Sequence, residues 1–229
     1  MTAKEIISAS VIPTREYQRF SLPMEEQEIE TALTTIYLGL INVYSCESYK
    51  DLDATTQTYI HKVSHWLTSK TAKPCLMLYG GIGNGKTTML KAIKELFNGI
   101  IKANELGKAN LWKADEQAKS LSLWIDRYIT NPEVYLASSI AKVGGVNYGN
   151  IRLLLIDDLG IEPTIVNDYG TETTPMVDLI YRRYEHRSFT VVTSNLDDET
   201  LETKYGARVA DRFNETFDKL NYTNGSYRR

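Results

Sequence analysis

Apolar residues recur every three or four positions at Ile29, Leu33, Ile36, Tyr37, Leu40 and Tyr44, which is the spacing of one face of an α-helix. Ser21-Leu22-Pro23 supplies a start signal, and Glu25, Glu26 and Glu28 give the helix an acidic opening that suits its positive end. The stretch from Ser45 to Asp53 breaks this pattern. Tyr59, Ile60, Val63, Trp66 and Leu67 then predict a second helix, which Lys73-Pro74 closes off. From Cys75 the texture changes. Cys75 to Tyr79, Ile151 to Ile156 and Phe189 to Thr193 are short, continuous apolar runs suited to strands buried on both faces. Met89, Leu90, Ile93, Leu96 and Phe97 place a helix from Lys86 until Asn98-Gly99 stops it. Asn110 to Lys113 reads as a weaker strand, Asp115 to Ile129 as a helix broken by Asn131-Pro132, and Thr173 to Arg187 as a further helix.

Strands alternating with helices predict an α/β fold, a parallel sheet with helices on both faces. A boundary near Ser45 separates a short helical N-terminal region, residues 1–45, from a larger unit, residues 46–229. The 26 Lys+Arg against 29 Asp+Glu, for a net charge of −3, exclude a uniformly basic nucleic-acid coat but leave room for a local basic patch. No apolar run approaches the ~18 residues of a membrane span. The N-terminus lacks the features of a secretory signal, and Cys46 and Cys75 form neither a disulfide framework nor a CxxC pair. The expectation is a soluble, cytoplasmic chain with no membrane partner.

Gly80-Gly81-Ile82-Gly83-Asn84-Gly85-Lys86-Thr87 fits G-x-x-x-x-G-K-[ST], the Walker A phosphate loop, between a predicted strand and a predicted helix. Glycines let the backbone curl so that several amide N–H groups face one phosphate, and the helix start adds its dipole. The candidate nucleotide-binding residues are Gly80, Gly81, Ile82, Gly83, Asn84, Gly85, Lys86, Thr87 and Thr88, with Lys86 on the β- and γ-phosphates and the Thr87 hydroxyl on Mg²⁺. Leu153 to Asp158 is an apolar strand ending in two carboxylates. It places Asp157 as a second Mg²⁺ ligand and Asp158 as the general base for the attacking water. Asn195, at the end of the third strand, is positioned either to meet the γ-phosphate and its water or to cap the helix after Leu196.

The phosphate loop, Leu154 to Pro163 (Leu-Leu-Ile-Asp-Asp-Leu-Gly-Ile-Glu-Pro), Thr193 to Leu196 (Thr-Ser-Asn-Leu) and Tyr205 to Phe213 (Tyr-Gly-x-Arg-x-x-x-Arg-Phe) occur in that order. This series, with Tyr49 to Trp66 and the closing Asn224 to Arg228, resembles the DnaC-type bacterial helicase loaders. They are a branch of the AAA+ ATPases that also holds the IstB-type transposition ATPases. The resemblance implies a five-stranded parallel sheet with Lys219 to Tyr222 as its last strand, no C-terminal helical lid, and ATP and Mg²⁺ as cofactors. It also implies that Asn195 is a sensor residue and that Arg212, ahead of Arg208, is an arginine finger reaching a neighbouring protomer's site. The partners it implies are a hexameric replicative helicase, a second copy of the chain through the ATP site, and single-stranded DNA. A transposition ATPase on duplex DNA and a nucleotide-gated module with negligible turnover are the alternatives.

Three further features bear on partners. The apolar stripe of the first helix either docks a helicase or packs on its own core. Arg182, Arg183, Arg187, Lys142 and Tyr148 could line a single-stranded DNA path. His61 and His65 sit four apart, but Lys62 follows His61 and no third ligand is apparent, so they read as an ordinary helix face. No Gly-x-Ser-x-Gly elbow occurs, and Cys75 lies within a buried strand, which leaves nucleophilic hydrolase chemistry without support.

Overall fold

The computed structural model describes residue 2 and residues 19–44, 48–105, 129–130, 142–143, 146–147, 153–168 and 171–227. Among these, six helices and nine strands follow in the order α1 (Glu26–Tyr44), α2 (Ala54–Thr68), β1 (Cys75–Gly80), α3 (Lys86–Glu105), β2 (Ile129–Thr130), β3 (Lys142–Val143), β4 (Val146–Asn147), β5 (Leu153–Leu159), β6 (Val166–Asp168), β7 (Thr171–Thr173), α4 (Pro175–Glu185), β8 (Phe189–Ser194), α5 (Asp198–Tyr205), α6 (Ala207–Thr216) and β9 (Phe217–Tyr222).

The main sheet is parallel and ordered β2-β5-β8-β1-β9. Instead of five full strands it has four of six or seven residues, with β2 pairing along β5 over two residues only. Ile129 therefore belongs to a strand, not to the end of the predicted helix. The rest of that helix, and the strand expected at Asn110 to Lys113, lie outside the described residues. Two antiparallel pairs, β3–β4 and β6–β7, stand apart from the main sheet.

Side chains alternate across the strands and divide the core in two. Leu76, Leu78, Leu155, Val191 and Leu220 face α1, α2 and α3. Cys75, Met77, Leu154, Ile156 and Val192 face α4, α5 and α6. The stripe of α1 resolves in favour of packing at home: Ile29, Leu33 and Tyr37 are buried with Met89, Leu90 and Ile60 in the first of these layers. Ahead of α1, Arg19 is also buried. Its guanidinium donates to the carbonyls of Trp66, Ser69 and Lys73 at 2.6–3.0 Å and lies 4.7 Å from the Trp66 ring, closing the end of α2.

Several boundaries differ from the sequence expectation. The helix α3 runs through Gly99 to Glu105. A helical glycine costs roughly 1 kcal/mol, and burying Ile100 beside it returns at least as much. The helix expected from Thr173 to Arg187 is shorter, Pro175–Glu185, because β7 takes Thr173 and Arg187 adopts φ 47°. The last strand begins two residues early, at Phe217, whose ring stacks on Phe213 at 4.2 Å.

Candidate functional site

The carboxyl ends of β1, β5 and β8 lie side by side, with β1 as the point where the strand order changes direction, the usual place for ligands in open α/β sheets. The phosphate loop leaves β1 at Gly80, which has φ 131° and a back so close to β9 that an added Cβ would lie 2.3 Å from the Tyr222 carbonyl oxygen. At the loop's other end Gly85 has φ 97°, and its missing Cβ would lie 2.4 Å from the Tyr37 hydroxyl of α1. Lys86 and Thr87 follow in the first turn of α3, with Thr88 half-buried beside them.

Lys86 is buried, and its ammonium group fills the hollow of the loop. It donates to the carbonyls of Gly80 (2.8 Å) and Gly81 (2.5 Å), to Asn84 Oδ1 (3.1 Å) and to Asn195 Oδ1 (3.0 Å). Two residues 109 positions apart in sequence, each picked out from its motif, thus meet in one hydrogen bond. Asn195 does not cap the following helix. Asp197 does so, accepting from the Thr200 N–H at 2.9 Å in a capping box.

The Thr87 hydroxyl donates to Asp157 Oδ1 at 3.0 Å, and the same oxygen accepts from Thr193 at 2.6 Å. Thr193 Oγ1 in turn accepts the Asp158 N–H at 2.8 Å. One wholly buried hydroxyl therefore fixes both acidic residues. Thr193 opens the Thr193 to Leu196 series, and its hydroxyl at the end of a buried strand is a group that needs partners. Asp158 lies where β5 gains a residue over β8 between Ile156 and Leu159, and it adopts φ 54°. A bulge with a left-handed residue turns a strand and re-aims the side chains beyond it, and aspartate tolerates that conformation better than most residues.

Glu162, in the same motif, is 1% exposed. Its carboxylate accepts from the Gly160 N–H at 2.8 Å and from the Tyr205 hydroxyl, so it ties the turn after β5 to α5. Burial, reinforced by the Glu162 charge, holds the Tyr205 hydroxyl far above the usual phenol range. That tie explains physically why an acid stands in the Leu154 to Pro163 series, a role the sequence alone did not disclose.

The tail after β9 straps the loop from outside. Tyr222 stacks on Tyr59 at 4.0 Å, the Thr223 N–H donates to the Tyr59 hydroxyl at 2.9 Å, and Asn224 Nδ2 donates to the Asn84 carbonyl at 3.0 Å. The Tyr227 N–H donates to the Gly83 carbonyl at 2.9 Å, while its hydroxyl donates to Asp53 Oδ2 at 2.8 Å. Asp53 also caps α2 through the Thr56 N–H at 2.9 Å. Burial, with Tyr227 and Asp53 close by, raises the Tyr37 hydroxyl well above the phenol range, so it stays neutral against Gly85. Tyr37, Asp53 and Tyr227 were not foreseen as site residues because they come from opposite ends of the chain.

Arg208 and Arg212 lie one turn apart on α6. Arg208 is exposed, whereas Arg212 is half-buried with its guanidinium 4.2 Å from the Tyr181 ring and 4.9 Å from that of Tyr184. Glu215 is engaged by Arg187 and the Tyr184 hydroxyl. Of the residues expected along a DNA path, the Lys142 side chain lies outside the described residues and Arg183 does not face solvent. Arg183 is buried, donating to Thr190 Oγ1 and the Phe189 carbonyl at 2.7 Å, and Tyr148 lies outside the described residues. Burial pushes the Cys75 thiol up to about 11, which removes its nucleophilic character. Among the described residues no helix is long and apolar enough to cross a membrane.

No protein-family model and no curated protein matches the sequence. Among solved structures the chain is similar to the DnaC helicase loader, at 17% identity and a TM-score of 0.42 over 77% of this chain and 95% of that one. It is similar to DnaI at 19% identity and a TM-score of 0.47, over 91% and 96% of the two chains. AMPPCP-bound DnaA from Aquifex aeolicus matches at 17% identity and a TM-score of 0.45, over 75% of this chain and 47% of that one.

Proposed function

We propose that this chain is an AAA+ ATPase that loads a ring-shaped replicative helicase, with ATP held between protomers. The observation that carries the nucleotide reading is the convergence of Lys86, Asn195, Thr87 and Asp157 from three neighbouring strand ends, joined by hydrogen bonds of 3.0 Å. The loader reading adds the motif series from Leu154 to Phe213, which resembles the DnaC-type branch.

Lys86 donates to two loop carbonyls and to Asn195 Oδ1. With a triphosphate bound it exchanges these acceptors for phosphate oxygens, while the amides of Gly81 to Thr88 surround the phosphate tail. Thr87 and Asp157 offer hard oxygen donors and are the residues that would hold Mg²⁺, which shields phosphate charge when bound. Asp158 serves as general base, Asn195 orients the water, and an arginine of α6 reaches across to the neighbour's γ-phosphate. Arg208 and Arg212 both remain candidates for that finger; the stacking of Arg212 on two tyrosines sets the cost of releasing it. Residues 46–229 form the ATPase unit in this reading, and residues 1–45 engage the partner through surfaces other than the buried stripe of α1.

Calorimetry with MgATP on the full chain, and gel filtration with a co-expressed hexameric helicase, test the two layers separately. The expected result is saturable MgATP binding that is lost in Lys86→Ala, and an ATP-dependent complex with the helicase. Absence of heat would overturn the nucleotide reading. Separate elution with ATP present, joined to filaments on duplex DNA, would replace loading by the transposition role.

A further inference from the structure

The helices α1 and α2 pack antiparallel so that Glu26 faces His65 and Glu30 faces His61, each pair being one helical turn from the other. His61 Nδ1 lies 2.9 Å from Glu30 Oε2 and 3.7 Å from Glu26 Oε1, and His65 Nδ1 lies 2.9 Å from Glu26 Oε2. The ligand atoms of Glu26, Glu30 and His61 all lie within 4.8 Å of one another. The third ligand that the His61–His65 spacing lacks within its own helix is thus delivered by the neighbouring one, twice.

We propose that Glu26, Glu30, His61 and His65 form a binding site for a divalent transition metal of the zinc class, stapling α1 to α2. Two imidazoles and two carboxylates are a donor set that zinc accepts at ~2.0–2.2 Å, which places neighbouring ligand atoms about 3.3 Å apart in a tetrahedron. The Glu26, Glu30 and His61 ligand atoms already lie within 4.8 Å of one another, and His65 Nδ1, 2.9 Å from the other carboxylate oxygen of Glu26, has to swing in to complete the set. Charge argues the same way. Two carboxylates converge on one imidazole nitrogen, and a divalent cation matches their two negative charges. Imidazole donors select zinc, nickel or copper over magnesium and calcium. The staple would fix the helix whose Tyr37 hydroxyl rests against Gly85 of the phosphate loop.

The test uses the full chain stripped with a chelator and titrated with Zn²⁺ at neutral pH. The expected result is one equivalent bound per chain, a raised thermal unfolding midpoint with Zn²⁺ and none with Mg²⁺, and a Co²⁺ derivative with tetrahedral absorption. The double variant His61→Ala/His65→Ala should lose stoichiometric binding and the thermal shift. His61 and His65 side chains are 59% and 66% exposed, so the variant is expected to fold, and unchanged circular dichroism and MgATP binding check this. Glu26→Gln and Glu30→Gln should each weaken binding by about tenfold or more. His186, the third of the chain's three histidines, lies at the end of α4, and His186→Ala should bind as the wild type does. No binding, or one-equivalent binding that survives in the double histidine variant, overturns the proposal.

Discussion

Replacing Gly85 by alanine should damage the phosphate loop in two separable ways. The backbone there has φ 97°, which costs a residue with a side chain on the order of 1–3 kcal/mol. The new Cβ would also lie 2.4 Å from the Tyr37 hydroxyl, so α1 or the loop must give by about 1 Å to restore ordinary contact. Displacing a packed ring by that much costs ~1–3 kcal/mol more. Tyr37→Phe removes only the offending oxygen. The nearest atoms are then the ring carbon Cζ and Tyr227 Cε2, both at 3.7 Å, an ordinary distance. A double-mutant cycle in urea unfolding and in MgATP affinity should therefore show Gly85→Ala less costly in the Tyr37→Phe background by ~1–3 kcal/mol. Tyr37→Phe alone should stay within about 1 kcal/mol of wild type. If Gly85→Ala costs the same in both backgrounds, the first helix does not rest on the loop and Tyr37 is not coupled to Gly85.

Other perturbations test the remaining parts of the site. Asp53→Ala removes the cap of α2 and the acceptor for Tyr227, with an expected loss of ~0.5–2 kcal/mol by denaturant unfolding. Burial would raise the Asp53 carboxyl, but hydrogen bonds from the backbone and hydroxyl of Thr56 and the hydroxyl of Tyr227 outweigh it, so its folded pKa lies below the unfolded one. Its contribution is present above the ordinary carboxylate range and disappears as pH falls through the folded pKa. The gap between wild type and Asp53→Ala should accordingly narrow below about pH 4. Glu162→Gln leaves an amide that can accept only one of the bonds now made by Gly160 and Tyr205; the expected cost is ~1–3 kcal/mol, and an unchanged midpoint would deny Glu162 its bracing role. Arg208→Ala should change stability by less than about 0.5 kcal/mol, whereas Arg212→Ala should lose about 1 kcal/mol of stacking on Tyr181 and Tyr184. Phosphate release across protein concentration then identifies the finger: the responsible variant binds ATP normally but loses the rise in specific activity on assembly.

The phosphate loop, the buried strands and the faces of α1, α2 and α3 could be read directly from the chain, because each depends on neighbours within about one helical turn or one strand. The spacing of Gly80 to Thr87 already contained the requirement for a curled backbone with a lysine at its end. The same holds for Asp157 and Asp158 at the end of an apolar run. What is local in sequence is governed by local sterics and periodicity, and those need no tertiary context.

Tertiary structure decided everything that depends on two distant segments arriving at one place. It put Lys86 against Asn195, set the Thr193 hydroxyl between two acidic residues, and buried Arg183, one of the residues expected along a DNA path. It extended α3 past Gly99, since the apolar neighbour at Ile100 found a core to enter. It also brought Tyr37 from the first helix and Tyr227 from the tail onto the phosphate loop, and faced two glutamates with two histidines across α1 and α2. None of these pairings leaves a periodic trace. Each is fixed by sheet order and helix packing, which follow from the burial of the whole chain rather than from any one stretch of it.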